Sequence, residues 1–303
     1  MNVFITGGTG FVGKALTERL IEEGYEITVL TRKYTGKQYP TETLSFIEGN
    51  PTERGDWQKH LNDYDVIINL AGAGIFRRWN KKNKKAIRDS RILTTKNIVE
   101  GLTGNSNRGT LLISTSAVGF YGYHGDEILT EESPPGKDFL ATVSAEWENT
   151  AMEAGKYNTR VVICRFGVVL GKDGGALEKM ILPYRYYMGS PIGNGRQFFS
   201  WIHLKDLVNI YAFLIKKGNM SGPVNCTAPE PVRNTDMTKI LGMVLKRPVF
   251  MPHVPGFAIT LAMGEFGDTI LKGQRVVPKR LLEMGFNFKF PDLAGALEDI
   301  LWG

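Results

Sequence analysis

The sequence predicts an α/β protein: a doubly wound parallel sheet with a smaller, mostly helical C-terminal lobe. Two observations support this prediction. Over the first two-thirds of the 303 residues, short apolar runs alternate with helical patterns, the order that builds a parallel sheet covered by helices. From about Leu170 onward, Gly- and Pro-punctuated loops and helices replace that alternation. The 42% hydrophobic and 22% charged residues are typical of an ordinary globular protein with an ample core.

The individual elements follow at regular spacing. Strands are predicted at residues 3–6, 27–31, 66–70, 110–115, 160–165 and 224–227. Helices are predicted at residues 11–23, 82–101, 139–155 and 204–217. We therefore expect a sheet domain of residues 1–170 that also receives about 200–228, and a lobe of residues 171–199 and 229–303.

The first strand-to-helix turn is the most informative stretch. Residues 6–13 read Thr-Gly-Gly-Thr-Gly-Phe-Val-Gly, directly after an apolar run, and Gly24 stops the following helix. Glycines let the backbone approach a pyrophosphate, whose charge the helix N–H groups and dipole stabilise. We predict a Rossmann-type dinucleotide site here; the alternative is a tight turn with only a structural role. Its expected contacts are Gly7, Thr9, Gly10, Phe11, Val12 and Gly13.

The end of the second strand indicates which dinucleotide binds. An acidic residue there accepts from both ribose hydroxyls of NAD, whereas a basic residue pairs with the extra phosphate of NADP. This strand ends Thr31-Arg32-Lys33, with no acid. Arg32 offers a fork of donors to a 2′-phosphate, and Thr31 offers a hydroxyl. We predict NADP (NADPH) as the cofactor; the alternative is that Arg32 is only a solvent-facing residue.

The positive charge of the chain raises the question of whether it binds nucleic acid or another anion. The formal charge of +6 comes partly from a basic run at residues 77–85. Such a run is typical of the solvated start of a helix; a site for an anionic ligand is a weaker alternative. Nucleic acid is the least favoured partner, because no binding motif for it accompanies the run.

Cysteine count and hydropathy indicate the cellular compartment of the protein. Cys164 and Cys226 lie in apolar runs that predict buried thiols, and they are too few for a disulfide framework or a zinc site. Met1 directly precedes the first strand, and no apolar run approaches the roughly 18 residues of a membrane span. We expect a cytoplasmic protein with no signal peptide, membrane span or metal.

Several motifs, in order, resemble the extended short-chain dehydrogenase/reductase superfamily. Besides residues 6–13 they are Asn69 to Gly72, residues 114–122 (STSAVGFYG), residues 165–171 and residues 196–206. The resemblance implies a substrate pocket that includes Arg196 and Trp201. It also implies further cofactor contacts from Leu70, Ala71, Gly72, Arg91, Ser114, Arg165, Val168 and Val169.

More closely, the chain resembles the atypical branch called epimerase family proteins. The likeness is carried by Arg78-Trp79, Trp147-Glu148, residues 193–203 and a C-terminal segment that contains residues 273–276 (GQRV). It implies an unidentified small-molecule substrate. Relatives often dimerise through two helices, here 82–101 and 139–155, but the lysine-rich start of the first leaves monomer and homodimer both open.

The catalytic pair of the superfamily is absent from this sequence. Relatives use a tyrosine and a lysine four residues later, whose charge lowers the pKa of the tyrosine. No tyrosine here has a lysine four places on. Counting back from Glu148, the acid that often follows the lysine, the two positions fall on Leu140 and Ser144. A buttressing asparagine of many relatives falls on Arg91.

Ser116 and Tyr121 remain as catalytic candidates. The resemblance places a substrate-orienting hydroxyl at Ser116; the alternative is a buried hydroxyl bonded to backbone. Tyr121 is the candidate for a relocated acid/base with Arg91 as its charge partner; the alternative is a packing aromatic. Arg196 is predicted to face an anionic part of the substrate, and Trp201 to line the pocket or belong to the core.

Three functions follow, in decreasing order of preference. The first is an NADP-dependent oxidoreductase or epimerase with a displaced proton donor. The second is a non-catalytic protein that senses NADP(H) or serves as a scaffold, because the Tyr–Lys pair is missing. The third is nucleic-acid binding through residues 77–85.

Overall fold

A seven-stranded parallel sheet forms the centre of the protein. The computed structural model describes residues 1–34, 41–103, 109–172 and 174–303. The strands are β1 (Asn2–Thr6), β2 (Glu26–Thr31), β3 (Leu44–Glu48), β4 (Val66–Asn69), β5 (Thr110–Ala117), β6 (Ile128–Leu129), β7 (Thr159–Phe166), β8 (Val168–Leu170), β9 (Phe198–Phe199), β10 (Trp201–His203), β11 (Gly222–Cys226), β12 (Val232–Arg233) and β13 (Arg275–Val276). The central sheet runs β11-β7-β5-β4-β1-β2-β3, and all of its pairs are parallel. The predicted doubly wound fold is confirmed.

Helices cover both faces of this sheet and build the lobe beside it. They are α1 (Phe11–Glu22), α2 (Lys81–Gly101), α3 (Phe139–Met152), α4 (Leu177–Arg185), α5 (Leu204–Lys216), α6 (Asn234–Val244), α7 (Gly256–Met263), α8 (Glu265–Lys272), α9 (Lys279–Glu283) and α10 (Leu293–Trp302). Single 3₁₀ segments occur at Asp56–Asp63, Val118–Tyr121 and Glu153–Tyr157. Within the described ranges, no helix is both long and apolar enough to cross a membrane.

The alternation of side chains along β1 shows how the two faces are filled. Val3 and Ile5 belong to a cluster with α1 and α5, whereas Phe4 belongs to a second cluster on the other face with α2 and α3. All three side chains are fully buried. Each such burial stabilises the fold by roughly 1.5–3 kcal/mol, so the sheet is held by apolar contacts from both layers.

The C-terminal part of the chain contributes to two cores. Helices α4, α6 and α10 share a cluster that contains Trp201. Leu281 and Phe286, by contrast, return to the core of the central sheet. Helices α7 and α8 pack against each other as a hairpin, joined at Gly264 with φ 63°. The exact division into a sheet domain and a lobe stays a prediction.

The structure adds elements that the sequence did not predict. These are the edge strand β3 and three two-stranded pairs, β6–β13, β8–β10 and β9–β12. The third predicted helix ends at Met152 and continues as a 3₁₀ segment, and the last sheet strand begins at Gly222.

Candidate functional site

The turn between β1 and α1 is closed by direct backbone packing. Gly7 has φ +75°, and a Cβ there would lie 2.8 Å from the carbonyl carbon of Leu70. A Cβ on Gly13 would lie 2.6 Å from the Cα of Gly8, so α1 begins tightly against the turn. Gly10 caps α1 without a side-chain hydrogen bond, which leaves the first helix N–H groups for a ligand. These residues fit a bound diphosphate.

The loop after β8 covers the start of α1. The ring of Phe11 lies against the glycines of that loop, where a Cβ on Gly175 would be 2.9 Å from Phe11 Cε1. Val168 and Val169 are half-buried on β8, and Val12 is half-buried on the first turn of α1. Thr9 is exposed at the turn itself. The predicted cofactor contacts Thr9, Phe11, Val12, Val168 and Val169 therefore lie on two segments, the start of α1 and the β8 strand with its following loop, which meet at the ring of Phe11.

The basic end of β2 is open to solvent. Arg32 is exposed and, within the part of the chain that the structure describes, forms no hydrogen bond or ion pair. The Thr31 hydroxyl donates to the carbonyl of Lys33 at 3.2 Å. No sequence motif pointed to Glu48, which is the register partner of Thr31 on β3 and accepts from the Tyr34 N–H at 2.6 Å. A guanidinium without a counter-ion fits an added phosphate at this position.

A second guanidinium lies beside the turn that follows β4. Arg91 donates to the carbonyls of Ala73, at 3.1 Å, and Ile87, at 2.8 Å. A Cβ on Gly72 would lie 3.3 Å from Arg91 Cζ. Burial lowers the pKa of Arg91 to about 10, and no carboxylate pairs with it among the described residues. An anion bound beside Gly72 would offset that burial cost.

A buried hydrogen-bond chain fixes this turn. Asn69 accepts from the Thr6 hydroxyl at 2.8 Å and from the Ala71 N–H at 3.3 Å. Its amide donates to Thr95 at 2.9 Å, and Thr95 also accepts from the Trp147 indole at 2.8 Å. The chain thereby ties β1 and β4 to α2 and α3. Asn69 thereby positions the predicted contacts Leu70, Ala71 and Gly72.

The predicted catalytic hydroxyl of Ser116 belongs to a buried ionic network. Its Oγ donates to Glu148 Oε1 at 2.6 Å, and the Arg165 guanidinium binds the same carboxylate through Nε at 2.8 Å and Nη2 at 2.7 Å. Ser116 is 1% and Arg165 3% exposed. Arg165 stays a predicted cofactor contact, although its guanidinium is held by Glu148. Ser114, also predicted to contact the cofactor, is fully buried on β5.

Tyr121 lies in the same network and not on an open pocket wall. Its hydroxyl donates to Asn225 at 2.6 Å and accepts from Arg165 at 2.9 Å, and its side chain is fully buried. Burial raises the pKa of Tyr121 to about 12, although Arg165 and Asn225 pull the pKa the other way. The expected charge partner is corrected: the guanidinium beside Tyr121 is that of Arg165, and Arg91 lies elsewhere, over the ring of Trp147. This placement does not favour an acid/base role.

Leu140 and Ser144, the residues that the count from Glu148 predicts for the Tyr–Lys positions, both lie on α3. Leu140 lies over Gly119, where a Cβ would be 3.3 Å from the Leu140 Cβ. Ser144 is buried one turn later. Leu140 also packs against a cluster built on Trp79, Ile87 and Phe266. The position is therefore apolar.

The two predicted substrate contacts differ in exposure. Trp201 is fully buried and its indole donates to the Glu230 carbonyl at 3.1 Å, so it belongs to the core, one of the two alternatives that the sequence left open. Arg196 is exposed, near Asp126 and beside Arg233, whose guanidinium donates to the Arg196 carbonyl at 2.6 Å. Arg196 remains the predicted anion contact.

The basic run starts a solvated helix, as its pattern predicts. Asn80 caps α2 by accepting from the Asn83 N–H, Lys84 pairs with Glu265, and Lys85 pairs with Asp89. Among the described residues there is no group of three or more His, Cys, Asp or Glu side chains that could hold a metal ion.

Three features define a dinucleotide-binding protein of the extended short-chain dehydrogenase/reductase class: the strand order of the sheet, the glycine turn between β1 and α1, and the adjacent ends of the paired strands β1 and β4. Two family models match the chain: the NAD dependent epimerase/dehydratase family over residues 3–226, and a domain of unknown function (DUF1731) over residues 254–300. The chain belongs to the NAD dependent epimerase/dehydratase family.

Similar proteins of known name show to which branch of the family the chain belongs. The chloroplastic epimerase family protein SDR39U1 homolog of Arabidopsis thaliana is 42% identical over 99% of this chain and 87% of its own length. Epimerase family protein YfhF of Bacillus subtilis is 37% identical over 99% of this chain and 98% of its own. The branch that the motifs predicted is confirmed.

Solved structures agree with this assignment. Human epimerase family protein SDR39U1 (isoform 2), solved with NADPH, has a TM-score of 0.86 and 33% identity, covering 99% of both chains. The dinucleotide in that structure is the one that Arg32 predicts here. UDP-glucuronic acid 4-epimerase from Bacillus cereus, solved with NAD, is 17% identical with a TM-score of 0.78 and shows the shared fold only.

Proposed function

We propose that this protein binds NADP(H) at the carboxyl edge of its sheet and is an NADP-dependent oxidoreductase that lacks the usual Tyr–Lys pair. The observation that carries the proposal is a backbone cradle at Gly7 and Gly13 with two guanidiniums beside it, Arg32 and Arg91, neither paired with an acid among the described residues. The NADPH in the human relative supports the same assignment.

Each part of the cradle has a separate task toward the cofactor. The first N–H groups of α1 would hold the diphosphate, and Arg32 would pair with the 2′-phosphate. Arg91, beside Gly72, would offset negative charge further along the dinucleotide. When bound, NADPH supplies a hydride for reduction.

Reduction fits the site better than epimerisation. Epimerases of this superfamily first oxidise an alcohol, a step that needs a base to take its proton. Leu140 holds the position of that base and has no titratable group. Arg196, exposed near Asp126, is proposed to contact an anionic part of a small substrate.

A second candidate function is a non-catalytic NADP(H) sensor. Tyr121 is buried and held by two hydrogen bonds, and Leu140 packs into an apolar cluster, which favours a site without proton transfer. A sensor binds NADPH with the same selectivity, but it does not oxidise NADPH whichever acceptor is added.

Calorimetric titration with NADPH and NADH tests the cofactor assignment. We expect NADPH to bind more tightly, and Arg32→Ala to weaken NADPH about 10- to 100-fold, because a charge-assisted contact of roughly 1.5–3 kcal/mol is lost. NADH affinity should not change. Lys33→Ala, one residue on and also exposed, is the matched control. No binding of either dinucleotide at millimolar concentration would overturn the proposal.

A further inference from the structure

The place where relatives keep a proton donor is an aromatic and aliphatic wall in this protein. Leu140 packs there with Trp79, Phe139 and Phe266. The Trp79 ring lies 5.2 Å from Phe139 and 5.3 Å from Phe266, and Phe76 meets Phe266 edge-on at 5.6 Å. Three separate segments, the loop after β4, the start of α3 and the α7–α8 hairpin, thus combine into one apolar cluster. Trp79 and Phe266 form its buried side, and Phe76, Phe139 and Leu140 form its accessible side.

Three hydroxyl groups of this region, those of Ser116, Tyr121 and Tyr123, are committed to other partners. Ser116 donates its proton to Glu148, and Tyr121 donates to Asn225. Tyr123 donates to Thr269 at 3.3 Å, and burial raises its pKa above the ordinary tyrosine value. Among the described residues around Leu140, none of these three hydroxyls is placed to protonate a bound substrate.

A substrate for such a site must accept a hydride without a positioned acid. A simple ketone becomes an alkoxide, a strong base that needs a proton in the same step. A quinone becomes a hydroquinone anion, in which the charge is delocalised as in a phenolate with a pKa near 10. A planar ring also suits aromatic walls, where offset or edge-on contacts are worth about 0.5–1.5 kcal/mol each.

We propose that the hydride acceptor is a planar conjugated molecule of the quinone class, bound against Leu140 and the accessible rings of Phe76 and Phe139. This proposal rests on the proposed function. The quinone accepts the hydride of NADPH and one proton from water, and it leaves as hydroquinone while NADP⁺ is formed. Phe76, in the loop after β4, then contributes to substrate binding.

Menadione is a suitable probe for this proposal. It reacts with exposed thiols, but Cys164 and Cys226 are both fully buried. With the full chain and saturating NADPH we expect saturable loss of the 340 nm absorbance, at least tenfold faster than with an aliphatic ketone. We also expect kcat/KM to be constant between about pH 6 and 9, because no side chain supplies the proton. Calorimetry with the NADP⁺-loaded protein should show menadione binding without turnover.

A matched pair of variants tests the location of the quinone. Phe76 is 43% exposed and Leu93, on the outer face of α2, is 40% exposed, so neither change should prevent folding. Phe76→Ala should raise KM for menadione about three- to tenfold, and Leu93→Ala should leave it unchanged. Equal effects of the two changes would contradict the proposed wall.

Two results would overturn the proposal. One is tight NADPH binding with neither binding nor reduction of menadione, which leaves the cofactor assignment intact and rejects the quinone class. The other is a pH-dependent rate whose titrating group disappears in Tyr123→Phe, which would show that the protein holds an acid after all. Failure to bind NADPH rejects the proposed function itself.

Discussion

Arg165 is the centre of the polar interior of this protein. It binds both oxygens of Glu148, donates to Tyr121, and stacks over Phe120 with its Cζ 3.5 Å from the ring centroid. The Glu148 and Arg165 side chains are only 9% and 4% exposed. Removing either partner of such a pair leaves a buried charge, which costs about 3–5 kcal/mol. The network therefore holds the ends of β5, β7 and β11 in register below the site.

The first prediction concerns Tyr121. Tyr121→Phe removes one donor and one acceptor, so the Asn225 carbonyl and one Arg165 N–H lose their partner. We expect the free energy of unfolding to fall by about 1–3 kcal/mol, measured by urea denaturation. Steady-state kcat should stay within about twofold of the wild-type value, since a hydroxyl whose pKa lies near 12 is not poised to exchange protons at neutral pH. A loss of kcat with full stability would restore Tyr121 as the acid/base.

At the scale of elements, the strands and helices around the glycine turn could be predicted from the sequence. The segments from β1 to α1 and from β4 to β5 have strong apolar periodicity and glycine boundaries, and their bounds agree within two residues. The edge strand β3 was missed because its residues are only partly buried, so its pattern is weak. The two-residue strands carry no periodicity at all.

The side-chain partners could not be predicted in the same way. Motif positions located Ser116, Glu148 and Arg165, but their mutual hydrogen bonds depend on how three different elements pack. The burial of Tyr121 depends on Asn225, which is 104 positions away in the chain. A local pattern contains no information about such a contact, and so the sequence suggested Arg91 as the partner.

The second prediction tests the packing of α1 against the glycine turn. Gly13→Ala places a methyl group 2.6 Å from the Cα of Gly8, so the helix start must move away from β1. We expect NADPH affinity to fall at least tenfold, measured by calorimetry, because the first helix N–H groups move from the diphosphate position. Gly155→Ala is the control, since no atom lies within 4 Å of its added Cβ. Unchanged affinity in Gly13→Ala would place the diphosphate elsewhere.

At the scale of the whole molecule, His203 joins the sheet side of the protein to its last helix. It accepts from the Lys205 N–H at 2.9 Å, stacks on Phe290 with centroids 4.0 Å apart, and lies 3.3 Å from Asp299 of α10. Burial lowers the pKa of His203 to about 4. The positive charges of Lys205 and Lys289 also lower the pKa, whereas the negative charge of Asp299 raises it. The imidazole is therefore neutral in the folded protein near pH 7.

The third prediction follows from that pKa. The pKa of His203 is about 6.5 when unfolded and about 4 when folded, so the unfolded chain binds more protons between these values. The free energy of unfolding should therefore fall as pH falls from 6.5 to 4, by roughly 3 kcal/mol from this residue. Asp299, whose pKa Lys205 lowers, adds to the loss at the acid end. Urea unfolding at pH 7 and 4.5 measures the slope, and an unchanged slope in His203→Asn would contradict this assignment.

Leu281 and Phe286 have a consequence for the synthesis of the protein. All seven strands of the central sheet are present once residue 226 has been made, yet these two side chains complete the core on one of its faces. A nascent chain that does not yet include these residues has all the strands of the sheet, but part of one apolar face is still uncovered. Emergence of these two residues from the ribosome, rather than formation of the last strand, is then the event that completes this core and ends its exposure to chaperones.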